Sequence, residues 1–155
     1  MTVNPISITS ANAKMTLTAR TGVSLPPVVG PFTVEGYAQD NAFATEPVDA
    51  AEAIMGVDGK MAAGYLPRIT KHTFNLMANS PSNLLFEAWD NAQKVLGDVL
   101  VADGVLAAPS LGKAWACVKG VLTRVTPIPA ARRTFSEPVV WEISWESVTP
   151  APIEV

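Results

Sequence analysis

The sequence predicts a single mainly β domain, of sandwich or barrel-like form, with one α-helix on its flank. Three observations predict it. Several segments alternate apolar and polar residues in steps of two, which is the period of a half-buried strand. Asp-Gly pairs, which are typical of tight turns between strands, lie among these segments. Only residues 81–96 repeat their apolar residues at helical spacing.

The first strands are predicted near the N-terminus. Residues 3–9 alternate, and so do residues 13–20, where Met15 and Leu17 share one face. A further strand is predicted over 32–38. Residues 39–52 are polar and contain proline, so an exposed loop is expected there. The next segment, AIMGVDGKMAAGYLPR, predicts a hairpin whose Asp58-Gly59 suits a type I′ turn.

A strand over 68–78 and then the helix are predicted next. Phe74 and Leu76 lie on one face of that strand, together with His72. The helix begins after Ser80, which can cap it, with Pro81 at its first position, and Gly97 can end it. Its apolar stripe is predicted from helical spacing: Leu84, Leu85, Ala88, Trp89, Ala92, Val95 and Leu96.

The C-terminal third is predicted to return to strands. Asp103-Gly104 indicates a turn, and Gly120 indicates a bulge where the alternation changes phase. The segment PVVWEISWES alternates strictly, so it predicts a strand with a tryptophan-rich face and a polar face. The polar face carries Glu142, Ser144 and Glu146. Residues 149–155 are rich in proline and are expected to form a surface tail.

Composition limits the classes of function. The chain has 155 residues, about one domain by length, and its one cysteine excludes an internal disulfide, which fits a reducing compartment. Net charge is −3 without a basic cluster beyond Arg132 and Arg133, which argues against adhesive nucleic-acid binding. Charged residues make up 16%, against roughly 25% in average domains. We therefore expect part of the surface to be buried against other copies. Neither a transmembrane helix nor a signal peptide is predicted.

The sequence contains no recognisable catalytic or metal-binding motif. His72 is the only histidine, and its apolar neighbours indicate a packed side chain. Cys117 is expected to be a buried, inert thiol. Glu142 and Glu146 lie about 13 Å apart along a strand, beyond the roughly 9.5 Å limit for carboxylate pairs in glycosidases. No enzyme activity, metal or cofactor is predicted. The polar face either lines a water-filled space or is an ordinary solvated surface.

Three segments resemble the tail tube proteins of contractile-tailed bacteriophages. They are MGVDGKMAAGYLPR, ANSPSNLLFEAWDNAQ and FSEPVVWEISWESVTPAPIEV, and the resemblance extends from about Phe32 to the C-terminus. It implies a single tail tube domain over 1–155, with hexameric rings that stack into a hollow tube. It also implies a tape measure protein inside the tube, a surrounding sheath, and baseplate and tail terminator proteins as partners. Double-stranded DNA would then pass through without sequence-specific binding.

The resemblance assigns places to the polar residues. Glu142, Ser144 and Glu146 are expected to face the lumen. The loop with Asp40, Glu46 and Asp49 is expected to contact neighbouring subunits or rings. Arg132 and Arg133 either pair with acidic loop residues across rings or lie in a solvated loop. The protein is expected in the virion tail, after assembly in the bacterial cytoplasm.

Three alternatives remain open at this point. One is the tube of a contractile bacteriocin or of a type VI-like secretion needle, which the sequence does not separate from a phage tube. A second is a hydrolase that uses His72. The third is a monomeric β-sandwich binding module, which would remain small in solution where a tube subunit polymerises.

Overall fold

A computed structural model describes residues 13–19, 32–38 and 42–153. The described residues confirm a mainly β fold with one α-helix. The strand predicted over 3–9 and residue Asp40 lie outside them. The elements in chain order are β1 (Lys14–Ala19), β2 (Phe32–Val34), β3 (Phe43–Thr45), β4 (Ala51–Met55), β5 (Met61–Tyr65), β6 (Thr70–Leu76), α1 (Ser82–Leu96), β7 (Val101–Ala108), β8 (Lys113–Arg124) and β9 (Val139–Pro152). A short 3-10 turn, Pro109–Leu111, joins β7 to β8.

Seven of these strands form one antiparallel sheet in the order β2-β1-β7-β8-β9-β6-β3, and β4 pairs only with β5. The sheet is strongly curled. Val34 pairs with Met15 near one end of the sheet, yet Tyr37, three residues later, bridges to Leu76 on β6 near the other end. Three residues span at most about 10 Å, so the two ends lie close together. The end strands β2 and β3 do not pair with each other, so the fold is sandwich-like and not a closed barrel.

The concave side of the curled sheet holds the core, and Trp145 lies at its centre. The Trp145 ring packs against the backbone of β7 and β8 at Gly104 and Gly120. A Cβ atom added at Gly120 would lie 2.3 Å from Trp145 Cζ3, and one at Gly104 would lie 3.1 Å from Trp145 Cη2. Glycine at both positions is therefore what allows the indole to approach the strands so closely.

A local irregularity brings Gly120 under the tryptophan. Lys119 has a φ of 51°, and the pairing of β7 with β8 shifts register between Ala102 and Gly104. The Lys119 N–H donates to Asp103 Oδ1 at 3.0 Å. The bulge predicted at Gly120 is confirmed. The turn predicted at Asp103-Gly104 is wrong, because both residues lie inside β7, where the glycine serves close packing.

The helix packs across the core and is fastened at its start. Ser80 Oγ donates to the Glu35 carbonyl, the Glu35 N–H donates to Ser82 Oγ at 2.8 Å, and Ser80 Oγ accepts a 3.3 Å bond from the Ser82 N–H. Gly36, with a φ of 75°, lies so close to Ser80 that a side chain would collide with it. Gly97 ends the helix in the left-handed conformation, as predicted.

The buried stripe of the helix differs from the prediction. Leu85 and Trp89 are buried as expected, and Phe86, which the prediction omitted, is buried beside them. Leu84, Val95 and Leu96 are exposed. The stripe follows residues 82, 85, 86 and 89, which is one face at helical spacing. The last turn carries no buried residue, so within the described ranges no surface covers its apolar residues.

The hairpin predicted around Asp58-Gly59 forms, but its turn is not type I′. The Gly56 N–H donates to the Lys60 carbonyl at 2.8 Å, and the Gly59 N–H donates to Gly56 at 3.0 Å. Gly59 has a φ of 79°, whereas Asp58 is not among the described residues with positive φ. This is the three-residue loop with a glycine bulge. Asp58 is accommodated because its carboxylate accepts from the Lys60 N–H.

Two segments predicted as irregular contain strand. Phe43–Thr45 in the predicted loop pairs with β6, and β4 begins at Ala51, which leaves 46–50 as exposed connection.

The β9 strand continues to Pro152. The Ile153 N–H donates to the Gly112 carbonyl, so alternation points the nitrogens of Pro150 and Pro152 away from β8. In the described chain that side of β9 has no partner strand beyond Trp145. Because proline has no backbone N–H, Pro150 and Pro152 leave fewer unpaired hydrogen-bond donors along this open edge.

The packing of Trp145 predicts a sharp difference between two glycine substitutions. Gly120→Ala should lower the free energy of unfolding by about 3 kcal/mol or more, because the added methyl group overlaps the indole ring. Gly64→Ala, in an open strand position with nothing within 4 Å, should change it by less than about 0.5 kcal/mol. Urea denaturation of both variants measures this. Equal effects would contradict the packing described for Trp145.

Candidate functional site on the polar face of the sheet

The convex side of the sheet, opposite the core, carries a continuous set of polar side chains from three adjacent strands. We call this surface the polar face; its members are Lys71 and Thr73 on β6, Lys119, Thr123 and Arg124 on β8, and Glu142, Ser144 and Glu146 on β9. Strand register brings them together, since Lys71 pairs with Ser144 and Thr73 with Glu142. Among the described residues, no strand or helix packs over this face.

A bulge concentrates polar groups around Glu142. The pairing of β8 with β9 shifts register between Leu122 and Arg124, so two residues of β8 lie opposite one residue of β9. Thr123 and Arg124 therefore both reach Glu142. Thr123 Oγ1 donates to Glu142 Oε1 at 3.3 Å and lies 3.0 Å from Ser144 Oγ, and Arg124 Nη1 lies 4.0 Å from Glu142 Oε2.

Glu146 has its own cation. Lys119 Nζ lies 3.3 Å from Glu146 Oε2, and both side chains are about half exposed. The positive φ of Lys119 belongs to the same irregularity that accommodates Trp145 on the other side of the sheet. The two carboxylates expected to form an acidic wall are thus each paired within the subunit. The exposed Lys119–Glu146 pair contributes only about 0–1 kcal/mol to stability, so it acts mainly on the charge of the surface.

The other predicted interaction residues lie in two exposed segments. Glu46 lines a shallow groove of about 450 Å³ together with Lys71, Arg124 and Glu142, and Asp49 is exposed nearby in the sequence. Arg132 pairs with Glu137 of its own loop at 3.2 Å, and Arg133 is exposed. The structure therefore brings Glu46 beside the predicted lumen residues, which the sequence did not indicate.

The two side chains with catalytic potential are both buried on the core side. His72 is 2% exposed, and burial lowers its pKa from the usual 6.5 to about 4. Its Nε2 has no hydrogen-bond partner among the described residues. Burial raises the pKa of the Cys117 thiol to about 11, which disfavours the reactive thiolate. No group of three or more His, Cys, Asp and Glu side chains in the described ranges could hold a metal ion.

Sequence reasoning missed the basic partners on this face. Lys119, Thr123 and Arg124 belong to one strand, but its alternation is interrupted twice, once near Gly120 and once at Thr123. If simple alternation is continued from Cys117 through the irregularity near Gly120, Lys119 is assigned to the core side. In the structure it lies on the polar face, beside Glu146. The phase change at Gly120 is a sequence signal for the first shift, whereas no residue type indicates the second.

Comparisons with known proteins identify a family and a shared fold. Residues 6–149 match the family described as tail fiber protein gp32. The fold is similar to a chain of the PVC sheath-tube complex in its extended state, from an extracellular contractile injection system. That match has a TM-score of 0.58 at 14% identity and covers 90% of this chain and 89% of that one. A chain of the anti-feeding prophage (AFP) baseplate matches with a TM-score of 0.55 at 11% identity, covering 96% and 98%.

A search of the curated proteins found no match. Within the described ranges, the chain has no helix long and apolar enough to cross a bilayer.

Burial of His72 predicts a specific pH dependence of stability. Because its pKa is about 4 in the folded chain and 6.5 when exposed, the unfolded chain binds the proton first as the pH falls. The stabilisation is complete above about pH 6.5 and should decrease by about 3 kcal/mol as the pH falls to about 4. Denaturant melts between pH 4 and 8 measure it. His72→Phe should lack this slope, and an unchanged slope in that variant would contradict the assignment.

Proposed function

Because this chain belongs to the family described as tail fiber protein gp32, we propose that it is a structural subunit of a stacked, hollow tube. The tube would belong to a phage tail or to a related contractile particle, and the subunit would not be an enzyme. Six copies would form each ring. The fold shared with a chain of a sheath-tube complex supports a tube.

One observation carries the proposal. The sheet has a packed face and a polar face that spans three adjacent strands, and no other described strand pairs or stacks over the polar face. Glu46 and residues 65–69 border it at grooves. An ordinary monomer can also have one such solvated polar surface by chance. Copies arranged in a ring with this face inward would enclose a water-filled channel lined by Glu142, Ser144 and Glu146. The helix lies across the core from that face and would then lie on the outside of the tube.

The proposal gives the remaining surfaces their partners. On the outside, the exposed Leu84, Val95 and Leu96 of the helix offer an apolar contact for a sheath protein. The segment with Asp40, Glu46 and Asp49 and the loop with Arg132 and Arg133 would contact neighbouring copies. The channel would hold a tape measure protein during assembly and later conduct DNA. Baseplate and terminator proteins would bind the two ends.

The charges of the polar face suit the passage of DNA. Affinity for a duplex comes mainly from cations that neutralise phosphates. Here Lys119 and Arg124 are already paired with Glu146 and Glu142, and Lys71 is the third cation of the face, so its cations and carboxylates nearly balance. A wall of this kind neither binds the duplex tightly nor repels it strongly, which permits sliding.

Electron microscopy of negatively stained protein, beside a sizing column, tests the proposal. Hollow tubes or stacked rings are expected. Solid rods without a lumen would support a tail fibre subunit, as the family description suggests, and single unstacked rings would support a baseplate component. A uniform monomer at high concentration, also in the presence of its baseplate, would support a monomeric binding module. Gene neighbourhood would separate a phage tail from a bacteriocin or a secretion needle.

Charge reversal inside the proposed channel should impair DNA passage without preventing assembly. Glu142→Lys with Glu146→Lys removes both pairs and leaves Lys119 and Arg124 free to bind phosphates. Tubes should still form, whereas the infectivity of a phage carrying the variant should fall by about tenfold or more. The control is Glu87→Lys with Asp98→Lys, the same charge change at exposed sites outside the proposed channel, and its tubes and sheath attachment are checked by microscopy before infectivity is compared. Unchanged infectivity of the first variant would contradict a lumen position.

A further inference from the structure

A cavity of about 440 Å³ opens at the end of the curled sheet where the 3-10 turn joins β7 to β8. We call it the end cavity. No residue of the helix lines it, so the helix covers the core at a different place. Its apolar wall comes from four strands and the 3-10 turn, and includes Phe43, Leu106, Leu111, Trp115, Cys117 and Val148.

The end cavity is an unfilled part of the core. At its floor Leu106 and Cys117 are 8% and 3% exposed, whereas Leu111 at its rim is 52% exposed. Trp115 and Val148 are half-buried and pack against the edge of the core. Protein interiors contain few voids larger than a water molecule. An apolar space of this size therefore needs an occupant that the described residues do not supply.

The chain itself leads to this cavity. Ala13, the first residue that the structure describes, lies on the wall, and Lys14 beside it pairs with Ala107 near the end of β7. Residues 1–12 join the fold at this point. An extended chain covers about 3.3 Å per residue and packed β layers lie about 10 Å apart, so about four residues before Ala13 suffice to cross the mouth of the cavity.

We propose that residues 1–12 fill the end cavity of their own chain, with Ile6 and Ile8 as the side chains that enter it. In an extended segment residues 6 and 8 share one side, because alternate residues face the same way. Ser7 and Thr9 then face the solvent. The inference goes beyond the proposed function, because the contact lies within one subunit and does not depend on a tube.

The chemistry of the segment matches that of the wall. Residues 1–12 contain no charged side chain, and no described residue on the wall is Asp, Glu, Lys or Arg. Filling the cavity with this segment therefore buries no charged side chain. His72 is also on the wall, and its Nε2 has no hydrogen-bond partner among the described residues. A polypeptide brings N–H and hydroxyl donors to such a wall, whereas an aliphatic ligand brings none.

Attachment to the wall favours this segment over a separate molecule. A segment that is joined to its site by a short stretch of chain has an effective concentration in the millimolar range. A free apolar compound, or the same segment of another copy, competes only when its own concentration in solution approaches that value. The segment that the chain carries is therefore favoured even when its intrinsic affinity is low.

Disulfide formation with the native Cys117 tests the inference. Ile6→Cys and Ile8→Cys each place a second thiol in the segment, and Thr9→Cys, on the opposite side, is the matched control. The full-length variants are oxidised at one pH and at low protein concentration, and the products are identified by mass spectrometry of non-reduced digests. We expect a bond within one chain, formed about tenfold faster or more for an isoleucine variant than for the control, because a disulfide requires Cα atoms within about 7 Å.

The products of this oxidation decide between the occupants. A bond between two chains at low concentration would place the segment of another copy in the cavity and overturn the inference. Equal rates for the isoleucine variants and the control, or no bond in any of them, would overturn it as well. Adding Cys117→Ala to the faster isoleucine variant should remove the product.

The accessibility of Cys117 gives an independent measurement. Ile6→Asp with Ile8→Asp should raise the rate at which N-ethylmaleimide modifies Cys117 by about tenfold or more, because charged side chains do not enter an apolar cavity. Ser7→Asp with Thr9→Asp adds the same charge on the opposite side and should leave the rate unchanged. Far-UV circular dichroism checks that both variants are folded, and equal rates in the two would overturn the inference. Protection of Cys117 in the unsubstituted protein by 1-anilinonaphthalene-8-sulfonate would instead show a cavity open to small apolar ligands, and would also overturn it.

Discussion

The structure depends on the approach of one indole ring to two strands. Trp145 lies against Gly104 and Gly120, where any larger residue would collide with it. The approach has costs: Lys119 takes a positive φ, the register of β7 with β8 shifts, and the buried Trp145 Nε1–H has no hydrogen-bond partner among the described residues. The gain is a large apolar side chain at the centre of the core, where it contributes about 2–3 kcal/mol by burial alone. The same irregularity directs Lys119 to Glu146 on the other side of the sheet. Core packing and the charge pattern of the polar face are therefore not independent.

A row of rings connects the edge of the sheet to the helix. Neighbouring ring centroids lie 4.2 to 6.0 Å apart from Tyr37 through Phe43, His72, Phe74 and Phe86 to Trp141. His72 occupies this row as a neutral ring, and its pKa of about 4 follows from that burial. The single histidine of the chain thus has a packing role that accounts for its environment. Trp141 also donates from Nε1 to Asn83 Oδ1, which fixes the start of the helix to the last strand.

The three outward surfaces differ in chemistry, and the difference is consistent with three kinds of contact. The polar face pairs its own charges and exposes little apolar area, as expected of a surface in permanent contact with water. The β4–β5 hairpin and the loop of residues 127–138 expose apolar side chains, among them Met55, Met61, Ile128 and Phe135. The helix exposes isolated apolar residues at its end. The chain belongs to a family described as tail fiber protein gp32, and its fold is shared with chains of a sheath-tube complex and of a baseplate.

The sequence by itself determined the class of the fold, the helix and its glycine stop, and the two sides of the last strand. These are local: alternation, capping and turn residues act within a few positions. It also placed His72 and Cys117 in the core.

Tertiary structure decided what alternation could not. The bulge at Thr123 gives Glu142 two partners, and Phe43 forms a strand in a segment of loop composition because Phe74 lies opposite. Only the register of β4 with β5 shows that their small residues and methionines form one exposed side. The physical reason is that bulges and pairing partners depend on residues far apart in the chain, which no local pattern encodes.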